Sequence, residues 1–352
     1  MTQIDKSKPV MVTGATGYVA GWLVKKLLDE GLTVHAAVRD PDNKNKTAHL
    51  LEVADKSTGD IKFFKSDLLI DGSYAEAMKG CELIYHTASP FTSSVENPKE
   101  DLIEPAQSGT RNVLEQANKT ESVKRVVVTS SCAAIYGDNI DLEQTTNGVF
   151  TEEIWNTTSS IKHQPYSYSK LLAEKEAWKI NEQQSRWDLI VINPSLVLGP
   201  ALNPHTNTSE SFSILIQMTD GTFKSGVPDI GMGVVDVRDL GDIHYNAGFT
   251  PESHGRHIAS GHNSGLLEIA KIIKSRFGDA YKISDKALPK WLLMIVGPMV
   301  NKTLTRKYIH RNVNQPFKAD NTKSIQSLGA SYRPLEETLT DSVQQLIDID
   351  LK

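Results

Sequence analysis

The sequence predicts an α/β protein with a doubly wound parallel sheet and a smaller, discontinuous domain toward the carboxyl terminus. Three observations support this fold class. Short apolar runs alternate with stretches of helical periodicity up to residue 198. A glycine-rich segment joins the first run to the first helix, and the alternation weakens beyond Pro200. Because strands that alternate with helices form a parallel sheet, we expect helices on both of its faces.

Length and charge limit the classes of function. The chain has 352 residues, enough for one large α/β domain or two coupled ones. Its net charge of −5 and its lack of a long basic run argue against a nucleic-acid partner. The ten histidines lack H-x-x-x-H spacing, so no metal site is predicted.

Cysteine usage and hydropathy bear on localisation. Cys81 and Cys132 show neither metal spacing nor a disulfide framework, which is typical of a reducing cytoplasm. The first residues lack the apolar core of a signal peptide. The longest apolar stretch, Trp291 to Val300, is too short to span a membrane. We therefore expect a soluble cytoplasmic protein without a membrane partner.

The first strand and the turn after it predict a dinucleotide site. The run Val10 to Thr13 leads into G-A-T-G-Y-V-A, and helical periodicity follows to about Gly31. Gly14 permits a tight turn, and Gly17 lets a pyrophosphate approach the backbone at the helix N-terminus. A purely structural turn is the alternative. The candidate cofactor contacts here are Gly14, Thr16, Gly17, Tyr18 and Val19.

The end of the second strand indicates which nicotinamide cofactor would bind. The strand Thr33 to Val38 is followed by Arg39, and Lys46 lies close behind. A planar guanidinium matches a ribose 2′-phosphate, so this pattern favours NADP(H) over NAD(H). Asp40 is the alternative, because a carboxylate here would bond a 2′-hydroxyl if Arg39 points away.

Further strand ends are predicted to face the same crevice. A third strand, Ile61 to Lys65, precedes Asp67, whose carboxylate could bond the adenine amine or simply cap the next helix. A fourth strand runs from Glu82 to Thr87. A long helix from about Pro98 to Ala117 precedes the fifth strand, Arg125 to Ser130, and a sixth strand covers Asp188 to Asn193.

The helix that begins at Pro165 carries a candidate proton donor. Proline suits the first helical turn, and the following residues are good helix formers. Tyr166 and Lys170 are four residues apart and share one helix face. A nearby ammonium favours ionisation of the phenol. A surface pair on an amphipathic helix is the alternative, and the rest of the chain must decide.

Taken together, these segments resemble the extended short-chain dehydrogenase/reductase family, in the branch of dihydroflavonol, cinnamoyl-CoA and yeast methylglyoxal reductases. The resemblance rests on G-A-T-G-Y-V-A, H-T-A-S-P, V-V-V-T-S-S, Y-x-x-x-K and P-S-L-V-L-G-P in that order. It covers nearly the whole chain. Two departures from the family patterns limit the substrate assignment. Cinnamoyl-CoA reductases usually carry N-W-Y-C-Y-G-K around the tyrosine, whereas Gln164 to Lys170 here reads Q-P-Y-S-Y-S-K. Flavonol-type reductases usually carry an asparagine at the place of Tyr136.

The resemblance implies roles for the matching residues. Ser131 would bond the substrate carbonyl oxygen, with its neighbour Ser130 as the rival because adjacent strand residues point to opposite faces. Tyr166 would donate the proton, and Lys170 would bond the nicotinamide ribose. The remaining cofactor contacts would be Arg39 and Lys46 at the 2′-phosphate, Asp67 and Leu68 at the adenine, Thr87, Ala88 and Ser89 along the cofactor, Pro194 and Val197 at the nicotinamide, and Ser209 at a phosphate.

We expect a Rossmann-type cofactor domain of residues 1–198 plus about 233–262. The substrate domain would comprise about 199–232 plus 263–352 and close over the nicotinamide. Val234 to Asp239 and His257 to Ala259 are expected to return to the main sheet, and Trp291 to Val296 to form a core helix. Candidate pocket walls are Phe91, Tyr136, Tyr168, Phe212 and Met232.

The predicted function is an NADPH-dependent carbonyl reductase that acts on a small or medium aldehyde or ketone, as a monomer or homodimer, with reversible alcohol oxidation. One alternative is a sugar-nucleotide epimerase or dehydratase with tightly bound NAD, which Arg39 disfavours. Another is a non-catalytic NADP-sensing protein, disfavoured because the chain retains Tyr166 and Lys170.

Overall fold

The computed structural model describes residues 1–89, 95–206, 210–301 and 303–349. A seven-stranded parallel sheet forms its centre, with the strand order β3-β2-β1-β4-β5-β6-β9. This order reverses at β1, which lies between β2 and β4, so a crevice opens there at the carboxyl ends of the strands. The strands are β1 (Val10–Thr13), β2 (Thr33–Val38), β3 (Asp60–Lys65), β4 (Leu83–His86), β5 (Arg125–Thr129), β6 (Asp188–Pro194) and β9 (Gly255–Ala259).

Helices cover both faces of this sheet, as predicted. One face carries α1 (Tyr18–Asp29), α2 (Lys44–Asp55) and α7 (Val237–Phe249). The other carries α3 (Ala75–Met78), α4 (Glu104–Lys119) and α5 (Pro165–Asn181). A π-helical turn, Lys99–Ile103, precedes α4 inside the stretch predicted as one helix.

The strands alternate between the two helical layers with a period of two. In β1, Val10 and Val12 pack under α1 and α7, whereas Met11 packs under the opposite helices. In β5, Val127 packs under α1 and α7, whereas Val126 and Val128 pack under the helices of the opposite face. Both faces are therefore apolar, which explains why the strands read as continuous hydrophobic runs.

A second, three-stranded sheet has the order β10-β8-β7, from β7 (Leu196–Leu198), β8 (Gly231–Asp236) and β10 (His262–Gly265). The expectation that Val234 to Asp239 returns to the main sheet is therefore wrong. Its first half lies in β8, which pairs with β7 and β10, and its second half begins α7. Asp236 causes this switch, because its side chain accepts a hydrogen bond from the Arg238 N–H and caps the helix. The strand expected at His257 does join the main sheet, as β9.

The carboxyl-terminal residues are mainly helical. Helices α6 (Glu210–Thr219), α8 (Leu266–Phe277) and α12 (Leu335–Asp348) enclose a separate apolar core with β7 and β8. The other helices of this part are α9 (Lys290–Val300), α10 (Arg306–Asn312) and α11 (Thr322–Leu328). None of the helices in the described ranges is long and apolar enough to cross a membrane.

The expectation that Trp291 to Val296 forms a core helix is also wrong. Of the residues of α9, only Leu293 and Gly297 are buried. Gly297 lies against Ile309 of α10. Leu293 packs with Ile230, Ile309 and Val313, so these residues cover the inner face of α9. The outer face is left to solvent. An apolar run shows that a helix could be buried, but it does not show that another element packs against it.

Candidate active site

The glycine-rich turn between β1 and α1 is shaped to receive an anion. Gly14 has φ +61°, and a Cβ there would lie 3.0 Å from the Cβ of Ala88 at the end of β4. The Gly17 N–H donates to the Gly14 carbonyl at 2.8 Å and closes the turn. Gly17 is the N-cap of α1, and no side chain caps this helix. Its first N–H groups and the positive end of its dipole therefore point into the crevice, which fits a pyrophosphate.

Hydrogen bonds between β1 and β4 hold the floor of this crevice. The Thr87 hydroxyl donates to the Thr13 carbonyl at 2.5 Å, and the Ala88 N–H donates to the Thr13 hydroxyl oxygen at 3.0 Å. His86 Nδ1 lies 3.0 Å from the same hydroxyl. Burial, aided by the charge of Lys170, lowers the pKa of His86 to about 3, so this imidazole is neutral at physiological pH. Thr87 and Ala88 are thereby fixed at the sheet edge.

Two predicted contacts on α1 use their side chains inside the protein. The Tyr18 hydroxyl donates to the Gly199 carbonyl at 2.6 Å, and Val19 packs against the core. Any contact of these residues with a cofactor would therefore come from the backbone at the helix N-terminus. Thr16 lies half-buried in the turn itself.

The residues predicted to select the cofactor follow β2, the strand next to β1. Arg39 follows β2, and Lys46 lies in the first turn of α2; both are exposed. The salt bridges found among the described residues do not involve either cation. The Asp40 carboxylate accepts a hydrogen bond from the Asp42 N–H at 3.1 Å. Arg39 and Lys46 are therefore both at the surface, where their side chains are open to an anionic ligand.

Asp67 caps the turn that follows β3. Its carboxylate accepts a hydrogen bond from the Leu69 N–H at 2.8 Å, while the Ser73 hydroxyl donates to its backbone carbonyl. This bond closes the turn itself and does not cap a helix as the alternative from the sequence supposed, because the next helix begins only at Ala75. It leaves the second carboxylate oxygen for another donor. Leu68 packs against Gly109 of α4, where a Cβ would come within 3.0 Å of its side chain. Both residues lie at the carboxyl edge of the sheet.

Helix α5 presents Tyr166 and Lys170 together. Pro165 occupies the first turn, and Gln164 before it has the left-handed φ of 56°. Tyr166 is 45% exposed, and Lys170 Nζ lies 5.9 Å from the centre of its ring. Lys170 also donates to the Ser89 hydroxyl at 3.2 Å, which joins α5 to the end of β4. A cation close to a solvent-accessible phenol favours the ionised form of that phenol.

Burial lowers the pKa of the Lys170 ammonium to about 8, although the charge of Glu174 opposes this shift. The lysine is therefore mostly charged at neutral pH and begins to lose its proton under mildly alkaline conditions.

The two adjacent serines after β5 have different surroundings. Ser130 is buried, and its hydroxyl donates to Glu174 at 2.5 Å. Ser131 is half-buried, and its hydroxyl oxygen accepts a hydrogen bond from the Ala133 N–H at 3.1 Å. That bond leaves the Ser131 hydrogen to be donated elsewhere. The short helix that Ser131 caps, Cys132–Ala134, packs against α5.

Glu174 is a buried charge that the sequence reading missed. It is 1% exposed and accepts hydrogen bonds from Asn193 Nδ2 at 2.7 Å and Arg256 Nε at 2.6 Å, in addition to Ser130. Its position, four residues after Lys170 and eight after Tyr166, was the available signal, because the three side chains share one helix face. The partners are distant in sequence, so the pattern alone could not show them.

The remaining predicted cofactor contacts lie at or beyond the end of β6. Pro194 pairs with Ala259 of β9 at the carboxyl edge of the sheet. Val197 is in β7 of the smaller sheet and packs into the core beneath α1 and α7. Ser209, like the candidate pocket residue Phe91, lies outside the described residues.

Three of the candidate pocket walls belong to apolar clusters. Tyr136 stacks on Phe150 with ring centres 4.6 Å apart, and Phe317 lies 5.3 Å from it. Phe212 is buried in the carboxyl-terminal core, and Met232 packs at the edge of that core. Tyr168 is half-buried on α5.

A polar cluster around Asp138 connects α10 to the segment that precedes Tyr166. Asp138 lies 2.7 Å from His163 Nε2 and accepts hydrogen bonds from Arg311 and Asn312 of α10. Burial raises the pKa of Asp138, but the hydrogen bonds from His163, Asn312 and Arg311 outweigh it, and the pKa is lowered overall. Helix α10 is thus fastened to the segment before Tyr166 through an ionised carboxylate, and Arg311 also donates to Asp141 at 2.7 Å.

Comparison with known proteins agrees with this geometry. Residues 10–243 match the model of the NAD dependent epimerase/dehydratase family. The chain is 32% identical to cinnamoyl-CoA reductase CAD2 of Medicago truncatula over 349 residues, or 98% of both chains. It is also 32% identical to tetraketide alpha-pyrone reductase 1 of Arabidopsis thaliana over 98% of this chain and 97% of that one.

Solved structures of reductases are also similar to this chain. Gre2 from Candida albicans superposes with a TM-score of 0.77 at 25% identity, covering 97% of this chain and 99% of that one. Its complex with NADPH superposes with a TM-score of 0.75 at 27% identity, covering 97% and 98%. With the family model, the two relatives and the crevice geometry in agreement, the chain belongs to the NAD dependent epimerase/dehydratase family and is an NAD(P)-dependent oxidoreductase of the extended short-chain dehydrogenase/reductase type.

Proposed function

We propose that this protein is an NADPH-dependent carbonyl reductase that converts a small or medium aldehyde or ketone into its alcohol. The single observation that carries the proposal is the placement of Lys170 5.9 Å from the ring of Tyr166, which is 45% exposed. The relatives named above are reductases, and Gre2 was solved with NADPH. The glycine turn and the open N-terminus of α1 fit the cofactor's pyrophosphate.

The cofactor, when bound, supplies the hydride. The protein supplies the proton, the charge and the orientation. Tyr166 donates its phenolic proton to the oxygen of the carbonyl as that oxygen gains negative charge. Lys170 lowers the cost of the resulting phenolate, because its ammonium lies close to the same ring.

Ser131 is the proposed second donor to the developing oxyanion. Its hydroxyl oxygen is held by the Ala133 N–H, so the hydrogen is oriented away from that bond. Ser130 is disfavoured for this role, because its hydroxyl donates to Glu174 inside the protein. A donor that is already fixed before the reaction stabilises an oxyanion without reorganisation.

We propose that Arg39 and Lys46 select NADPH over NADH by contacting the 2′-phosphate. We further propose that residues 1–198 plus about 233–262 bind the cofactor, and that about 199–232 plus 263–352 close over the substrate. The separate apolar core that α6, α8 and α12 enclose supports this division.

The test is steady-state reduction of a panel of aldehydes and ketones, followed by the loss of NADPH absorbance, with wild type and Tyr166→Phe. The substitution keeps the ring and removes only the hydroxyl. Since general acid catalysis contributes about 10²–10⁴-fold, kcat should fall by about that factor. NADPH affinity, measured by fluorescence titration, should change little, because the glycine turn, Arg39 and Lys170 remain.

Two results would contradict the proposal. A folded Tyr166→Phe protein with full activity would remove the tyrosine from the mechanism. Turnover of a sugar nucleotide to an isomer, without net consumption of NADPH, would identify an epimerase instead.

A further inference from the structure

Helix α9 presents an apolar stripe to solvent on its outer face. The stripe consists of Trp291, Ile295, Val296, Met299 and Val300, each between 41% and 83% exposed. Residues 291, 295 and 299 follow at four-residue intervals, and 296 and 300 lie beside them, so the five side chains form one continuous surface. Scattered exposed apolar residues need no explanation, whereas a continuous stripe indicates a binding surface.

The stripe is fixed in place from behind. Gly297 of α9 lies against Ile309 of α10, where an added Cβ would come within 2.9 Å of the isoleucine side chain. Leu293 is buried with Ile309 and Val313. The Lys290 ammonium at the start of α9 donates to the carbonyls of His310 and Val313. Helix α9 therefore cannot easily turn its apolar face inward without losing these contacts.

The segment around the stripe is strongly basic within an acidic protein. Residues 281–312 contain seven lysines and arginines and one aspartate, a formal charge of +6, whereas the whole chain carries −5. The single aspartate, Asp285, is paired with Lys274 at 3.4 Å. Lys286, Arg306 and Lys307 are exposed, and the Arg306 guanidinium donates to the Met294 carbonyl beside the stripe. Exposed cations therefore precede and follow the apolar helix in the chain, and one of them, Arg306, contacts it.

From this juxtaposition we infer that the outer face of α9 docks onto an anionic membrane surface, with its axis along the plane of the interface. A helix with tryptophan and aliphatic residues on one face and lysines around it has the composition of an interfacial anchor. Each cation near an anionic leaflet strengthens binding, and its effect extends only about 8 Å at physiological salt. The negative charge elsewhere on the protein therefore does not cancel the local attraction.

A second copy of the chain is a poorer occupant for this surface. A twofold contact would place the same patch against itself and bring Lys286, Arg306 and Lys307 of both copies together. That arrangement adds repulsion to the apolar contact, whereas an anionic lipid surface satisfies both features. The sequence led us to expect no membrane partner because the stretch is too short to span a bilayer. Lying on a bilayer requires no such length.

The experiment is co-sedimentation of the full chain with vesicles of phosphatidylcholine alone and of an equimolar mixture with phosphatidylserine. We expect binding to the anionic vesicles only, weakened by added salt. Trp291→Ser with Met299→Ser should reduce the affinity at least ten-fold. Lys286→Ser with Lys307→Ser should reduce it about 25-fold, since one cation near the surface is worth about a five-fold change.

Two matched controls separate the patch from general properties of the protein. Leu51→Ser with Ile325→Ser removes two exposed apolar side chains of other helices, and Lys62→Ser with Lys65→Ser makes the same change in net charge elsewhere. Both should bind like wild type, and all variants should keep the melting temperature and reductase activity of wild type. Absence of binding to anionic vesicles would overturn the inference. So would equal losses in the controls, or a dimer in sedimentation velocity that only the Trp291 and Met299 substitutions abolish.

Discussion

Ser130 and Glu174 are 44 residues apart in the chain and share a buried hydrogen bond of 2.5 Å behind the proposed catalytic surface. Glu174 is held at the same time by Arg256 and Asn193. Ser130 therefore connects β5 to α5, whereas its half-buried neighbour Ser131 accepts only the Ala133 N–H and keeps its own hydroxyl hydrogen for donation. This difference is the basis of the proposal that Ser131, and not Ser130, contacts the substrate oxygen.

We predict opposite consequences for the two serine substitutions. Ser131→Ala should lower kcat by about 10²–10³-fold, the usual loss for one oxyanion donor, with little change in NADPH affinity. Ser130→Ala should leave kcat within a few-fold but lower the free energy of unfolding by about 1–3 kcal/mol, because it leaves the buried Glu174 with one donor fewer. Steady-state kinetics and thermal unfolding of both variants provide the measurement. The assignment would be reversed if Ser130→Ala abolished turnover in a stable protein.

The pKa of Lys170 predicts an alkaline limit to activity. The protonated ammonium is the form that favours ionisation of Tyr166, so kcat/KM should fall as pH rises through about 8. Glu174→Gln removes the negative charge that raises this pKa, so the decline should begin at a lower pH. Lys170→Arg keeps its charge at every accessible pH and should lack this decline, which makes it the control. A wild-type profile that stays flat well above pH 8 would contradict the role given to Lys170.

Cofactor preference should depend on Arg39. Loss of one charge-assisted contact to a 2′-phosphate costs about 1.5–3 kcal/mol, which corresponds to about a ten- to a hundred-fold decrease in kcat/KM with NADPH. Arg39→Ala should show this decrease with NADPH and little change with NADH. Asp40→Ala is the control, because its carboxylate bonds the Asp42 N–H and should not affect NADPH use. Equal use of both cofactors by wild type would refute the assignment.

Cys132 is next to the proposed catalytic serine and should nevertheless be a bystander. Its thiol is buried and donates to the Asn193 carbonyl at 3.2 Å, and burial raises its pKa far above the usual range. A thiol in this state is neither nucleophilic nor a proton donor at neutral pH. The Cys132→Ala variant should retain most of the wild-type kcat, with the same KM for the substrate. Complete loss of activity in a folded Cys132→Ala protein would show that the proposed assignment of the chemistry to Ser131 and Tyr166 is wrong.

Much of the fold was predictable because its signals are local. The strands β1 and β2 begin and end where the apolar runs do, and Gly14 has the positive φ that its position before a helix suggested. The spacing of Tyr166 and Lys170 placed them on one helix face, and the structure brings their side chains together. These features depend on residues within a few positions of one another, where backbone geometry and periodicity suffice.

What the sequence by itself determined, then, is the parallel sheet, the anion-binding turn and the pairing of the tyrosine with the lysine. The tertiary structure decided that Ser130 faces inward, that Val234 belongs to a second sheet and that α9 exposes its apolar face. It also brought Arg256 to Glu174 across 82 residues of chain. Each of these depends on which distant element supplies the partner, and no local pattern contains that information because burial and charge pairing are properties of the packed chain.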